Sequence, residues 1–251
     1  MITRNTTKLV QSLKQGKFRK EHQLFVVEGR KTVEELIHSS FEMTALYATE
    51  TFLEQSTMQH PMLEIVTPVQ MQQMSSLDTP PGILAVARIP ERELQMPLTD
   101  RMVLALDGIA NPGNMGTIIR TAEWFGIHSI VCSEDCVEIW NPKVIQATMG
   151  SLFRVEVVTS NLEVLLKQEK ENGKPIYGAL LQGENLFKQE RWDDGIIVIG
   201  SESHGIREPL LPLITHPITI PRAANSITES LNASMATGII LAMRASKTIF
   251  Y

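Results

Sequence analysis

Three stretches of this 251-residue chain concentrate side chains able to bind or polarise a substrate. In ALDGIANPGNMGTIIRTAEWFG (105–126) an apolar run ends in a loop of Asn, Pro and Gly and passes into a helical pattern. Asn114 stands where it can cap that helix and Gly126 where the helix would stop, while Ile118, Ala122 and Phe125 supply an apolar stripe. Arg120 follows Gly116 by about one turn, and its permanent, forked cation suits a phosphate or an emerging oxyanion. In IIVIGSESHGI (196–206), Gly200 and Gly205 permit a close backbone approach, and Glu202 between small residues can accept hydrogen bonds from an arginine or a polar substrate. His204 reads as a loop residue rather than a base. In ITIPRAANSITESLNASMATGIILAMRA (218–245), Ser230 and Asn232 sit where a helix begins, so capping is one role open to each. The small residues Ala233, Ala236 and Gly238 require a close neighbour: another helix, a knotted chain segment or a second subunit. Taken singly, these loops equally fit a capped helix with a surface arginine and a strand-to-helix turn with a solvated glutamate. The first carries neither the G-x-G-x-x-G nor the G-x-x-x-x-G-K-[ST] phosphate loop, which disfavours a Rossmann-type nucleotide enzyme.

The elements that must position these loops read as an α/β chain. LFVVEG (24–29), MTALYAT (43–49) and Ile83–Ile89 read as strands, KTVEELIHSS (31–40) as a helix, and residues 8–20 as one opening amphipathic helix. RIPERELQMPLTD (88–100), with two prolines around a charged centre, reads as a linker. A second pattern then starts: strands at 102–109, 128–133, 153–158, 176–181, 195–200 and 216–221, helices at 115–126 and 143–151, and a closing helix at 231–247. Strands separated by short helices predict a mainly parallel sheet covered on both faces, with ligands beyond the carboxyl ends of its strands.

Composition bounds the class. Hydrophobic residues make up 43% and charged residues 20%, as in a globular protein with a sizeable core. No apolar run reaches the roughly 18–20 residues of a membrane span. The first twenty residues are polar and basic, without a leader-like apolar stretch, so the expected location is the cytoplasm. Cys132 and Cys136 form no C-x-x-C pair and have no histidine cluster beside them, so they read as ordinary thiols rather than a metal site. The net charge is −5, yet residues 1–31 carry Arg4, Lys8, Lys14, Lys17, Arg19, Lys20, Arg30 and Lys31 against Glu21 and Glu28, a local excess of +6. Phosphate binding follows such a local patch rather than the whole-chain charge, although a solvated basic helix face would look the same.

The three loops, in this order, resemble the SpoU (TrmH) branch of the SPOUT methyltransferases, which methylate RNA ribose. The resemblance rests on N-x-G-x-x-x-R at Asn114, Gly116 and Arg120, on a strand ending in G-x-E-x-x-G at Gly200, Glu202 and Gly205, and on Ile220–Pro221 followed by Glu229–Ser230–Leu231–Asn232. It covers residues 100 to 251. One departure stands out: Arg222 follows Ile220–Pro221 where the family usually has Met, and the loop AANSIT is longer by about two residues, which alters the cofactor loop. A looser resemblance links residues 1–95 to the small α/β/α substrate-binding domain that precedes such catalytic domains and is shared with some RNA-binding ribosomal proteins.

The resemblance implies an RNA-binding domain at 1–95 and, at 96–251, a mainly parallel sheet with a C-terminal trefoil knot. It implies S-adenosylmethionine held by Gly200, Ile220 and Leu231, an RNA substrate with ribosomal RNA favoured over transfer RNA, and a homodimer with its site near the subunit interface. Arg120 would stabilise the oxyanion developing on a ribose 2′-hydroxyl, since arginine holds its proton too tightly to act as a base. Glu202 would orient Arg120, and Asn114, Ser230 and Asn232 would position the ribose and the loops. No metal is needed, because a sulfonium already carries a good leaving group. A non-catalytic RNA-binding relative would be expected to have lost Arg120, Asn114 or Glu202, and all three are present.

Overall fold

The computed structural model describes residues 2–92, 94, 96–98 and 102–248 and divides into two compact units, one of residues 1–91 with 138–153 and one of residues 92–137 with 154–251. Of the linker expected at 88–100, Glu93, Gln95, Thr99 and Asp100 lie outside the described residues. The rest of it does not hang free. Leu94, Met96 and Leu98 pack on the core of the second unit, where Lys174 Nζ donates to the Leu98 carbonyl at 2.6 Å.

The chain opens with α1 (Arg4–Ser12) and α2 (Gly16–His22) rather than the single helix expected over 8–20. Leu13 is fully buried at the break, and Gln15 is extended, so the chain turns there to drive Leu13 inward. A β-carbon on Gly16 would lie 2.7 Å from Glu138 Oε2, so glycine permits the approach of that carboxylate. Then come β1 (Leu24–Glu28), α3 (Arg30–Ile37), β2 (Met43–Ala48), α4 (Glu50–Glu54), β3 (Leu63–Ile65), α5 (Pro68–Met74) and β4 (Ile83–Arg88). The α5 start is fixed by Pro68 and by a capping box between Thr67 and Gln70. The sheet order is β1-β4-β2-β3, antiparallel except for β2 beside β3. Val26, Leu84 and Val86 face a cluster with Val10, Leu13, Met71 and Met74. Strand alternation turns Phe25 to the opposite face.

The second unit begins with β5 (Met102–Asp107), α6 (Pro112–Trp124) and β6 (Ser129–Cys132). The chain then returns to the first unit through 138–153, which contains α7 (Pro142–Thr148). This segment supplies Trp140, 4.8 Å from Phe25 between ring centres, and Phe153, 5.2 Å from Phe41. Arg19, only 2% exposed, pairs with Glu138 through two guanidinium nitrogens and donates to the Leu13 carbonyl at 2.7 Å. Arg19 is therefore an internal strut, and it leaves the basic surface expected of residues 1–31.

The remainder of the second unit is β7 (Glu156–Thr159), α8 (Leu162–Glu171), β8 (Ile176–Asn185), β9 (Gly195–Gly200), β10 (His216–Thr219) and α9 (Ala233–Thr248). The six strands are all parallel, in the order β10-β8-β9-β5-β6-β7. The central strands β5 and β9 are almost wholly buried, which is why they read as unbroken apolar runs. Val103, Ala105, Ile196 and Val198 join Leu162, Leu165 and Leu166 of α8 in one core, while α6 and α9 pack on each other. The sheet brings Asp107 and Gly200 into register at the carboxyl ends of β5 and β9, where the loops of interest leave.

Candidate active site

The loop after β5 turns at Gly108, whose φ of +71° is open to glycine, and its N–H donates to Ser133 Oγ at 2.9 Å. The cap of α6 is Asn111, not Asn114 as the sequence suggests: Asn111 Oδ1 accepts from the N–H groups of Gly113 and Asn114 at 2.8 and 3.2 Å, with Pro112 in the first helical position. The side chain of Asn114 is thereby released for another task. Its Nδ2 donates to Glu202 Oε1, and its Oδ1 accepts from Asn232 Nδ2 at 3.1 Å.

Glu202 is the centre of this junction. Its Oε1 also accepts from Asn232 Nδ2 at 2.7 Å and from the Ala233 N–H at 3.3 Å. Asn232 caps α9 in turn, its Oδ1 taking the N–H groups of Ser234 and Met235 at 3.1 and 3.3 Å and the Ser234 hydroxyl at 2.6 Å. Three residues far apart in the chain thus meet at one carboxylate oxygen, and Oε2 receives no hydrogen bond among the described residues. Gly200 and Gly205 shape the loop that carries Glu202. A β-carbon on Gly200 would lie 2.1 Å from the Gly205 carbonyl carbon, because the loop closes on itself through the paired N–H and C=O groups of Ser201 and Gly205. The glycine at position 200 is required by the protein's own backbone before any ligand is considered.

Arg120 and Ser230 stand outside the junction. Arg120 lies six residues beyond Asn114, which on an α-helix is a rotation of roughly 120° to another face. It is exposed and makes no hydrogen bond or ion pair among the described residues, so the expected bond between Glu202 and Arg120 is not present in this structure. Ser230 is exposed in the loop before α9, with no side-chain partner among the described residues. Ile220 is half-buried just past β10, and Leu231 is 47% exposed immediately before Asn232. Neither makes a main-chain hydrogen bond to other backbone groups among the described residues. Apolar side chains beside free N–H and C=O groups suit a ligand with an aromatic base and a polar amino-acid tail, so this loop fits S-adenosylmethionine. Arg222 Nη1 donates to the Thr228 carbonyl at 3.1 Å, closing the extended loop that the longer spacing creates.

Sequence reading missed a second constellation next to the Glu202 loop. Asp107, its side chain fully buried, ends β5, accepts hydrogen bonds from the Arg207 backbone N–H at 2.8 Å and Nε at 2.6 Å, and is ion-paired with an Arg207 terminal nitrogen at 2.5 Å. The free terminal nitrogen of Arg207 lies 3.5 Å from Asp135. Hydrogen bonding to Ser133 holds the Asp135 carboxyl below its ordinary range. Beside it, Cys136 Sγ accepts from the Ile109 N–H at 3.2 Å. Hydrogen bonding with Cys132 and then Ser133 draws the Cys136 thiol down to about 7, while Cys132 is pushed up. Asp107 was detectable in the sequence, as a lone charge closing the apolar run MVLAL. Asp107, Asp135 and Arg207 line a cleft of about 590 Å³ with Gly108, Ser201, Ser203 and His204.

A six-stranded parallel sheet with the candidate loops at its carboxyl end, beside a separate accessory unit, defines a two-part α/β protein. The chain belongs to the SpoU rRNA methylase family, whose model matches residues 101–242, and an MRM3-like substrate-binding domain matches residues 4–85. It is 28% identical over 219 residues to the Bacillus subtilis 23S rRNA (guanosine(2553)-2′-O)-methyltransferase RlmP, covering 86% of each chain. A TrmH-family RNA methyltransferase from Porphyromonas gingivalis superposes with a TM-score of 0.87 at 34% identity, covering 97% of this chain and 98% of that one. An AdoMet-bound rRNA methyltransferase from Sinorhizobium meliloti shares the fold, with a TM-score of 0.85 at 24% identity, covering 99% and 97%.

Proposed function

We propose that this protein transfers the methyl group of S-adenosylmethionine to a ribose 2′-hydroxyl of ribosomal RNA, working as a cytoplasmic homodimer. The carrying observation is the junction at Glu202 Oε1, where Asn114 and Asn232 are drawn together at the carboxyl end of a parallel sheet. When bound, S-adenosylmethionine supplies a methyl group already activated on sulfur. Gly200, Ile220 and Leu231 hold it, with Leu231 and Ile220 offering apolar cover and free backbone groups. Glu202 fixes the amides of Asn114 and Asn232, and those amides, with Ser230, position the ribose. Arg120 stabilises the negative charge that develops on the attacking oxygen. Its exposed place on a face of α6 away from Asn114 suits a site completed across a two-fold axis, which gives the dimer a chemical purpose. The first unit supplies RNA affinity through exposed Lys8, Lys17 and Lys20. Replacing those three lysines by alanine should weaken RNA binding and flatten its salt dependence, by about 0.7–0.9 in logarithmic slope for each phosphate no longer neutralised.

The deciding experiment is transfer from labelled S-adenosylmethionine to separated ribosomal and transfer RNA, followed by alkaline hydrolysis. A 2′-O-methyl blocks alkaline cleavage, so the label should appear in dinucleotides from ribosomal RNA. Label in mononucleotides would mean base methylation and would overturn the proposal.

A further inference from the structure

The cleft lined by the neighbours of Glu202 has no role in the chemistry above. Ser201, Ser203 and His204 flank Glu202 in sequence and line the cleft, whereas Glu202 itself is bonded to Asn114 and Asn232. The same loop thus borders both the ribose-positioning junction and a cleft whose volume, about 590 Å³, lies in the range of small-ligand sites. A nucleotide with its ribose at the junction has a cavity beside it for its base.

The walls of the cleft are chemically selective. Arg207 is immobilised by buried Asp107 through its backbone N–H, Nε and one terminal nitrogen. Its remaining terminal nitrogen lies 3.5 Å from Asp135 Oδ1, too far for a hydrogen bond, so both groups keep capacity for a ligand. Asp135 is 53% exposed on its side chain, and Gly108 leaves room beside it, since a β-carbon there would come within 3.3 Å of Asp135 Oδ2. Among a polar lining that also includes Ser201, Ser203, His204 and Glu208, Arg207 brings a donor and Asp135 carboxylate acceptors to a base edge. Guanine alone presents the complement along its pairing edge: the O6 acceptor, then the N1–H and N2–H donors. Cytosine and adenine each bring one amino donor beside a ring acceptor that a carboxylate repels, and uracil brings one N–H between two carbonyls. Bases in unpaired RNA are commonly read on this edge.

We propose that the cleft receives the base of the target nucleotide and that Arg207 and Asp135 select guanine. This rests on the ribose-methylation reading, and the test separates the two. After labelling and alkaline hydrolysis, the protected dinucleotides are digested to nucleosides, and 2′-O-methylguanosine is expected. Another methylated nucleoside overturns guanine selection and leaves ribose methylation standing. Absence of any ribose methylation removes both. Once the position is mapped, a synthetic RNA fragment with inosine there deletes only the 2-amino donor. The wild-type enzyme should lose at least about tenfold in kcat/KM on inosine, the scale of one good bidentate contact. Asp135→Ala should lose a similar factor on guanosine and no longer distinguish the two bases. Asp135→Asn, which keeps size and one acceptor, should fall between. A preference for guanosine over inosine that is unchanged in a folded Asp135→Ala enzyme would overturn the proposal.

Discussion

Two carboxylates lie at the carboxyl end of the same sheet and are used in opposite ways. Asp107 is buried, and Arg207 holds it with two hydrogen bonds and an ion pair. Glu202 is exposed, gathers its donors on one oxygen and leaves the other open. The first arrangement locks the loop after β9 to the end of β5, and the second keeps capacity for a substrate. The largest expected effect breaks the lock. Arg207→Ala leaves a buried carboxylate without its cation, a change that typically costs about 3–5 kcal/mol. Denaturant unfolding should show that loss. Asp107→Asn should cost less, because Arg207 is 47% exposed on its side chain and water can take over its charge. If the two substitutions destabilise equally, the asymmetry between buried anion and exposed cation is wrong.

The open carboxylate and the exposed arginine should behave the other way. Arg120→Ala removes one charge stabiliser and should slow methyl transfer by roughly 10²–10³-fold, the usual cost of a lost oxyanion donor. Its melting temperature and its affinity for S-adenosylmethionine should stay close to wild type, since Arg120 holds no partner among the described residues. Glu202→Gln should also fall in kcat with little loss of stability. Calorimetric titration of cofactor beside single-turnover kinetics checks both. A parallel fall in cofactor affinity in Arg120→Ala would mean that the arginine serves binding rather than reaction.

Cys136 sharpens the contrast at the edge of the lock. Its thiol is drawn down to about 7 and is half-buried, whereas Cys132 is buried and pushed up. Alkylation is carried by the thiolate, so labelling of Cys136 should rise as pH increases through about 7, while Cys132 stays inert in the folded protein. Peptide mass spectrometry across pH values on either side of that point reads this directly, and equal labelling of both cysteines would contradict the environment described.

Much of the fold is legible from residue pattern. Strands such as MVLALD and GIIVIG announce themselves because both faces are buried, and Gly126 ends α6 with a positive φ as expected. Long-range geometry is what the pattern does not carry. Asn114 and Asn111 are three residues apart with the same amide, and only the fold decides which amide caps the helix and which reaches Glu202. Trp140, Phe153 and Glu138 lie amid the second unit's sequence, yet they complete the first unit, where nothing local betrays their partners Phe25, Phe41 and Arg19. The short pieces α4, β3 and α5 have too few residues for a period to emerge. Helix α8 also falls outside the elements expected from sequence, although Leu162, Leu165 and Leu166 mark its buried face.

The smallest effect separates two residues of identical type. Asn111 and Asn232 are both helix N-caps, each accepting two backbone N–H groups through Oδ1. Loss of either cap to alanine should cost about 1 kcal/mol, which in a protein of this size is a shift of a few degrees in melting temperature. Only Asn232 also donates to Glu202 and Asn114 through Nδ2. Serine or aspartate at either position restores an acceptor for the cap but cannot supply those two amide donations. Asn111→Asp should therefore recover both stability and methyl transfer relative to Asn111→Ala. Asn232→Asp should regain the cap but not methyl transfer, because a second carboxylate would repel Glu202 instead of binding it, which also offsets part of the regained stability. Recovery of transfer in Asn232→Asp would show that the cap alone, and not the bonds to Glu202, is what the reaction requires of this residue.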